Sequence, residues 1–214
     1  MIYHDIEQGS DEYCELKLGK ISSSHFSEIM VNTINRGGEF DSQAKWGVGA
    51  KDYAARLALE RKTKKRLDSF QNDWMQRGNR LEPEARQKYE CKTFQLVENG
   101  GLFINGDLAT SPDGLIEKGG IEIKCVKYNT QFAVMEAEFY DTKYKWQMQG
   151  QMLVANLKFV DFVSYCPEHP KETELYIYRV EKNNVNSDQI TKRLEHFKEL
   201  IADYEKMIGG NNGK

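Results

Sequence analysis

The segment SPDGLIEKGGIEIKC, residues 111–125, decides how the rest of the chain is interpreted. Glycines and charged residues at 117–120 predict a hairpin turn, which places Asp113 nearly opposite Lys124 and diagonal to Glu122. Glu122 and Lys124 are two residues apart, so their side chains share one face of the strand. Diagonal neighbours on paired strands lie roughly 7 Å apart, which long side chains can span. We therefore expect two carboxylates and one lysine to meet on one sheet face.

These residue types together indicate a hydrolytic metal site. Two carboxylates form an oxygen-rich pocket that suits Mg²⁺ or Mn²⁺ better than zinc, and the backbone carbonyl of Ile123 completes the protein ligands. In such a site the Lys124 ammonium orients a water molecule and stabilises charge that develops on a phosphate. The alternative is a surface hairpin with an incidental ion pair, because charged residues alternate on many exposed strands.

Length and composition predict one folded domain that spans residues 1–214. The chain is 39% hydrophobic and 11% aromatic, which is enough to build a core and excludes a mainly disordered chain. Its 30 Lys and Arg and 33 Asp and Glu give a formal net charge of −3. Overall charge therefore gives no argument for a nucleic-acid partner, and such an argument must rest on a local site.

The cysteine pattern and the hydropathy predict the cellular setting. Cys14, Cys91, Cys125 and Cys166 are far apart in the sequence, so neither a zinc ribbon nor an iron–sulfur cluster is expected. No segment approaches the roughly 18 consecutive apolar residues of a membrane helix, and the acidic N-terminus lacks a signal-peptide pattern. We expect a protein with reduced cysteines in the cytoplasm and no membrane partner.

Hydrophobic periodicity predicts helices alternating with short strands. Helices are expected at residues 45–60, 69–90, 143–157 and 187–208, with another after Ser22-Ser23-Ser24 and a kink or boundary at 81–82, before Pro83. Strands are expected at residues 93–98, 102–105, 113–116, 121–126, 159–166 and 174–180. The last helix should bury Ile190, Leu194, Phe197, Ile201, Tyr204 and Met207. This order, without a linker or repeat, predicts one α/β domain with a mixed central sheet.

The basic run RKTKKR, residues 61–66, follows the first of these helices. A run of this kind is either a solvated surface or a contact for the phosphate backbone of a nucleic acid. The sequence leaves both interpretations open.

The spacing of PDG and EIK matches the PD-(D/E)xK nuclease signature. Three further segments make the resemblance narrower: DEYCELKLGKISSSHF (11–26), RGNRLEPEARQKYE (77–90) and YKWQMQGQMLVA (144–155). Together the four segments resemble, in the same order over about residues 11–165, the lambda-exonuclease type of phage recombination nuclease, a viral recombinase family. The resemblance implies a restriction-endonuclease-like core, with a mixed central β-sheet flanked by helices.

The resemblance also implies roles for individual residues. Asp113 and Glu122 would bind metal, Lys124 would serve the attacking water, and Glu82 would be a helical carboxylate near a second metal. A pocket for a 5′-terminal phosphate would comprise Lys17, Ser24, Ser111 and Gln149. Gln147 and Gln151 remain alternatives to Gln149, and Lys17 stands where the family usually has arginine, so a two-pronged phosphate contact is lost there.

The implied activity is a Mg²⁺-dependent exodeoxyribonuclease that uses one or two ions and digests one strand of duplex DNA from its 5′ end. Its products would be 5′-mononucleotides and a 3′-ended single strand for phage recombination. The implied partners are duplex DNA ends, two further copies in a homotrimeric ring, and a phage single-strand annealing protein in a bacterial host. The alternatives are a restriction-like or repair endonuclease on the same core, and a non-catalytic DNA-binding protein.

Overall fold

The computed structural model describes residues 1–67 and 73–209. The helices of the described residues are α1 (Asp11–Lys17), α2 (Phe26–Ile29), α3 (Val48–Thr63), α4 (Asp73–Thr93), α5 (Tyr128–Glu136), α6 (Lys145–Val154) and α7 (Asn184–Gly209). The strands are β1 (Ile2–His4), β2 (Ile21–Ser22), β3 (Leu102–Asn105), β4 (Leu108–Thr110), β5 (Gly114–Ile116), β6 (Gly119–Cys125), β7 (Phe159–Tyr165) and β8 (Leu175–Glu181). Short 3₁₀ turns at Ser23–His25 and Thr142–Tyr144 precede α2 and α6.

The strands form two mixed four-stranded sheets, so the α/β prediction is confirmed with two sheets in place of a single central one. The first has the order β1-β3-β4-β2, in which only the β2–β4 pair is parallel. The second has the order β5-β6-β7-β8, in which only β6 and β7 are parallel. Parallel neighbours need a crossover connection, and α5 and α6 provide it between β6 and β7.

The hairpin of β5 and β6 has a tighter turn than its sequence suggests. Gly114 pairs with Ile121 and Ile116 with Gly119, so only residues 117 and 118 form the turn. Lys118 there has a φ of 62°, in the left-handed region. Continuing this register by one residue sets Asp113 opposite Glu122, which corrects the prediction that Asp113 lies opposite Lys124.

Strand β6 is covered on both faces. Its side chains point alternately to the two faces, which decides which of them reach the site. Ile121 and Ile123 pack with Ala85 and Tyr89 of α4 in one hydrophobic cluster. The residues between them face the opposite side, towards α6, as the two-residue period of a strand requires. Glu122 is therefore on the α6 side of the sheet.

Helices α3 and α7 pack against each other and form the largest core cluster with α2 and α6. The predicted inward residues Ile190, Leu194, Phe197 and Ile201 are buried, and Tyr204 is partly buried. Met207 is 70% exposed, which corrects its predicted burial, because the last turn of α7 extends past the core. The helix also begins one turn before the predicted Ser187, since the side chain of Asn183 accepts a hydrogen bond from the Asn186 amide.

The structure corrects two further boundaries. The predicted strand at 93–98 is reduced to a single bridge between Glu98 and Leu115, because α4 continues to Thr93 and Phe94 then adopts a left-handed φ of 57°. Pro83 lies inside α4 and does not end it, although proline has no N–H to donate to the carbonyl of Asn79, so the boundary alternative at 81–82 is wrong and the kink stays a prediction. The predicted start of this helix, residue 69, lies outside the described residues.

The segment Ser22-Ser23-Ser24 is the end of a strand and a 3₁₀ turn, and Ser24 is not the N-cap of a helix. It packs closely on α6 at Gly150. A Cβ atom at Gly150 would lie 2.5 Å from a ring carbon of Phe26 and 3.1 Å from Cβ of Ser23. The glycine therefore lets the serine segment approach the helix that carries the glutamines of residues 147–151.

We predict that Gly150→Ala lowers the free energy of unfolding by about 1–3 kcal/mol, the usual cost of overpacking a core. Gly78 in α4 is the matched control, because nothing lies within 4 Å of a Cβ added there. Gly78→Ala should leave stability unchanged or raise it by up to about 1 kcal/mol, through helix propensity. Urea denaturation measures both, and equal effects of the two substitutions would contradict the packing account.

Candidate active site

One open cleft of about 1060 Å³ brings together all the predicted site residues except Gln149. Its walls come from α1, the serine segment after β2, α4, the loop before β5, strand β6 and the start of α6. The predicted residues that line it are Lys17, Ser24, Glu82, Ser111, Asp113, Glu122, Ile123 and Lys124. Residues 100 positions apart in the sequence thus face the same space.

Asp113, Glu122 and Lys124 form the floor of this cleft. The Asp113 carboxylate accepts a hydrogen bond from the Ile123 amide at 2.6 Å, which ties the end of β5 to β6. The Lys124 ammonium contacts Oε1 of Glu122 and lies 4.6 Å from the ring centre of Tyr144. The convergence expected from the hairpin is therefore present, with a register different from the predicted one.

The pKa values of the floor residues are shifted because several carboxylates lie close together with little solvent around them. Burial raises the pKa of Asp113 well above its usual value, and the nearby Glu122 and Glu82 carboxylates raise it further, against the effect of Lys124. Burial alone would lower the pKa of Lys124, but the Glu122 and Asp113 carboxylates outweigh it and raise that pKa. The ammonium thus stays charged beside a group of acids.

Glu82 reaches the same floor from α4. Burial raises its pKa and so does Glu122, while the cations Arg86 and Lys124 oppose the rise. Arg86 lies 3.9 Å from Glu82 and also donates a hydrogen bond to the backbone carbonyl of Asp113. This arginine links α4 to the loop that carries Asp113, a role that the sequence pattern did not indicate.

The donor set of the floor fits a hard divalent cation. Carboxylate and carbonyl oxygens are the ligands that Mg²⁺ and Mn²⁺ prefer, and positive charge would offset the repulsion that raises the pKa of Asp113. The N–H and C=O of one strand residue point to the same side, so the carbonyl of Ile123 faces the Asp113 side as its amide does. Within residues 1–67 and 73–209, no group of three or more His, Cys, Asp or Glu side chains is arranged so that it could hold a metal ion.

The predicted phosphate-binding residues lie along the adjacent wall. The Lys17 ammonium donates to the Tyr13 hydroxyl at 2.9 Å. Ser24 is exposed, and its hydroxyl shares a 2.9 Å hydrogen bond with that of Ser22. The Ser111 hydroxyl donates to the carbonyl of Gly101. One ammonium and two hydroxyls therefore line the wall beside the carboxylates.

The position of Gln149 corrects its predicted role in the phosphate pocket. Gln149 is buried on the far side of α6, away from the cleft. Its amide nitrogen donates to the carbonyl of Glu181 at 2.9 Å, and its oxygen accepts from the Asn183 amide at 3.0 Å. Gln149 therefore joins α6 to the start of α7.

The two alternatives, Gln147 and Gln151, lie on the side of α6 that faces β6, and only Gln147 lines the cleft. Both side-chain amides donate to the carboxylate of Glu122. Arg66, the last residue of the basic run, also lines the cleft, and its guanidinium donates to the sulfur of Cys14. The spacing of four between the glutamines was the available sequence signal, since such residues share one helix face.

Comparison with known proteins assigns the chain to a family. A family model described as a YqaJ-like viral recombinase domain matches residues 12–158, more than half of the chain. The chain belongs to this family. No curated protein matches the chain significantly.

Solved structures support this assignment. An alkaline exonuclease from Laribacter hongkongensis, LHK-Exo, superposes with a TM-score of 0.81 at 28% identity, over 94% of this chain and 97% of its own. A complex of LHK-Exo with dAMP superposes equally well, over 95% of this chain and 100% of its own. A phage-related exonuclease from Haemophilus somnus 129PT has a TM-score of 0.69 at 15% identity, covers 89% of this chain and 96% of its own, and shares the fold.

This YqaJ-like domain therefore shares the restriction-endonuclease-like fold of these exonucleases, with mixed sheets flanked by helices. The predicted resemblance to lambda-exonuclease-type recombination nucleases is confirmed. No helix within the two described ranges is both long and apolar enough to cross a membrane.

We predict that Asp113→Asn raises the thermal midpoint when a chelator keeps divalent cations away. The substitution removes one of the mutually repelling charges and retains an oxygen that can accept the Ile123 amide. Each kcal/mol gained shifts the midpoint by about 2–4 °C in a protein of this size.

Asp107→Asn is the control for this prediction. Asp107 lies on the surface, 3.8 Å from Lys198, and exposed ion pairs contribute little to stability. Calorimetry measures both variants. A midpoint for Asp113→Asn at or below that of the unsubstituted protein would contradict the repulsion described above.

Proposed function

We propose that this YqaJ-like domain is a Mg²⁺-dependent exodeoxyribonuclease that digests one strand of duplex DNA in the 5′-to-3′ direction. Mn²⁺ is the expected substitute, and one or two ions would act. The observation that carries the proposal is the single cleft in which Asp113, Glu122 and Lys124 lie beside Lys17, Ser24 and Ser111. Hydrolytic groups and anion-binding groups face the same space.

The chemistry follows from the properties of the floor. Asp113, Glu122, the Ile123 carbonyl and Glu82 would hold the cation, which supplies charge to stabilise the leaving oxygen of the scissile phosphodiester. Lys124 is fixed between the Glu122 carboxylate and the Tyr144 ring, so its ammonium can orient a water at the phosphate. The elements that form this floor, β5 and β6, are paired strands of the second sheet.

The phosphate-binding wall supports a preference for a 5′ end. The Lys17 ammonium and the Ser24 and Ser111 hydroxyls are charge and hydrogen-bond donors that suit a terminal phosphate. Binding that phosphate would set the first phosphodiester of the strand over the carboxylates and release a 5′-mononucleotide. The relative LHK-Exo binds dAMP, a nucleotide that such a step could release.

The proposal extends to the assembly and setting of the enzyme. A homotrimeric ring would keep the nuclease on its DNA, and a phage single-strand annealing protein would coat the 3′-ended product in the cytoplasm of a bacterial host. The net charge of −3 is compatible with a ring, because a positive channel can coexist with an acidic outer surface.

A linear duplex labelled at one 5′ end tests the reaction. With Mg²⁺, we expect labelled mononucleotide to appear first, and EDTA to stop its release. A closed circular duplex should remain intact, because it offers no end. Rapid nicking of the circle would instead indicate an endonuclease, and DNA binding without cleavage would indicate a non-catalytic DNA-binding protein.

We predict that a 5′-phosphorylated duplex is cut roughly ten-fold or more faster than a 5′-hydroxyl duplex, since a charge-assisted hydrogen bond contributes about 1.5–3 kcal/mol. Lys17→Ala should reduce this preference and spare cation binding. Lys17→Arg should increase it, by providing a two-pronged contact.

Lys20→Ala is the matched control, because it removes the same charge three residues away. The Lys20 ammonium donates to the carbonyl of Gly106 and Lys20 does not line the cleft. Initial rates on the two duplexes measure the preference. The Lys17 role is wrong if the Lys20 and Lys17 variants change the preference equally.

A further inference from the structure

Two glutamines of α6 reach the same carboxylate on β6. Nε2 of Gln147 donates to Oε1 of Glu122 at 2.6 Å, and Nε2 of Gln151 donates to the other oxygen, Oε2. The two are four residues apart, so they lie on one face of the helix, one turn from each other. Each oxygen of Glu122 is thus held by its own neutral donor.

The environment of Glu122 explains what these donors contribute. Glu122 is 1% exposed and lies between Ile121 and Ile123, so little solvent can stabilise its carboxylate. A buried carboxylate without hydrogen-bond donors is costly. Two amide donors replace the lost water and also fix the direction of the oxygens.

The orientation of Gln151 is set by Glu122. The side chain is fully buried, and Oε1 of its amide has no hydrogen-bond partner within the described part of the chain. Leaving such an oxygen unpaired costs roughly 1–3 kcal/mol. A glutamine present only for the stability of the helix would satisfy both ends of its amide, as Gln149 does.

The amide donors of Gln147 and Gln151 are neutral, whereas Lys124 is positively charged, and this difference affects cation binding. Lys124 contacts the same carboxylate but carries a positive charge that repels a metal ion. An amide orients the carboxylate without that repulsion. A carboxylate has about four lone-pair positions, so these three donors leave one, on Oε2, for a cation.

We propose that Gln147 and Gln151 are positioning residues that hold Glu122 in the geometry needed to bind the divalent cation. The proposal rests on the function proposed above. Gln151, which is fully buried, is the principal contributor. Gln147 is half-buried and shares Oε1 with Lys124, so it contributes less.

Titration calorimetry of Mn²⁺ into the DNA-free protein tests this proposal. Gln151→Met removes the donor but keeps the length of the side chain, and we expect cation affinity to fall roughly ten-fold or more, as is usual when the partner of a metal ligand is lost. Gln147→Met should reduce the affinity less. Gln149→Met, on the same helix, should lower the thermal midpoint but keep the cation affinity.

A second readout separates positioning from a direct catalytic role. The Mn²⁺ concentration for half-maximal cleavage should rise in Gln151→Met, while the rate at saturating cation should recover towards that of the unsubstituted protein. Unchanged cation affinity in Gln151→Met, or an equal loss in Gln149→Met, would overturn the proposal.

The remaining outcomes are also decisive. If Gln151→Met does not fold, Gln147→Met on the cleft surface decides, and unchanged affinity there rejects the proposal. If the unsubstituted protein binds Mn²⁺ and cleaves DNA but the glutamine variants keep its cation affinity, the positioning proposal fails and the proposed function stands. If the unsubstituted protein neither binds Mn²⁺ nor cleaves DNA, the proposed function itself fails.

Discussion

The Glu122 carboxylate is nearly inaccessible to solvent yet lies at the floor of an open cleft, and the surrounding structure compensates for its burial. Two amides of α6 and the Lys124 ammonium donate to it from one side of the sheet. Helix α4 covers the other face of β6 with an apolar surface. The crossover that makes β6 and β7 parallel is therefore also what brings the glutamines of α6 over the carboxylate.

The same constraint explains why the proposed phosphate-binding wall is close by. Gly150 lies on α6 between the glutamines, and its missing side chain allows the serine segment after β2 to pack against the helix. One helix therefore holds the carboxylate floor with some side chains and the serine wall with its backbone. A change in the position of α6 would move both parts of the site together.

The sequence predicts that Asp113, Glu122 and Lys124 converge, because a strand has a period of two and residues 122 and 124 must share a face, but it does not give the register of the hairpin. The sequence does not decide which of Gln147, Gln149 and Gln151 faces the site, since it does not show which face of their helix packs against the sheet. Residues 147 and 151 share one helix face, whereas residue 149 is about 200° away from 147 around the axis. The strand prediction at 93–98 relied on apolar residues being buried. Phe94 and Leu96 are apolar, yet both are exposed.

The central claim is that Glu122 and Lys124 form a hydrolytic centre in this YqaJ-like domain. The most direct test is the initial rate of cleavage of a linear, 5′-phosphorylated duplex by Glu122→Ala and Lys124→Ala at saturating Mg²⁺, with circular dichroism to verify folding. Lys118→Ala, at the exposed hairpin turn, is the matched control. The account predicts folded variants with rates reduced by more than about 100-fold for the first two and unchanged for the control. A folded Glu122→Ala variant that keeps a substantial part of the rate would contradict it.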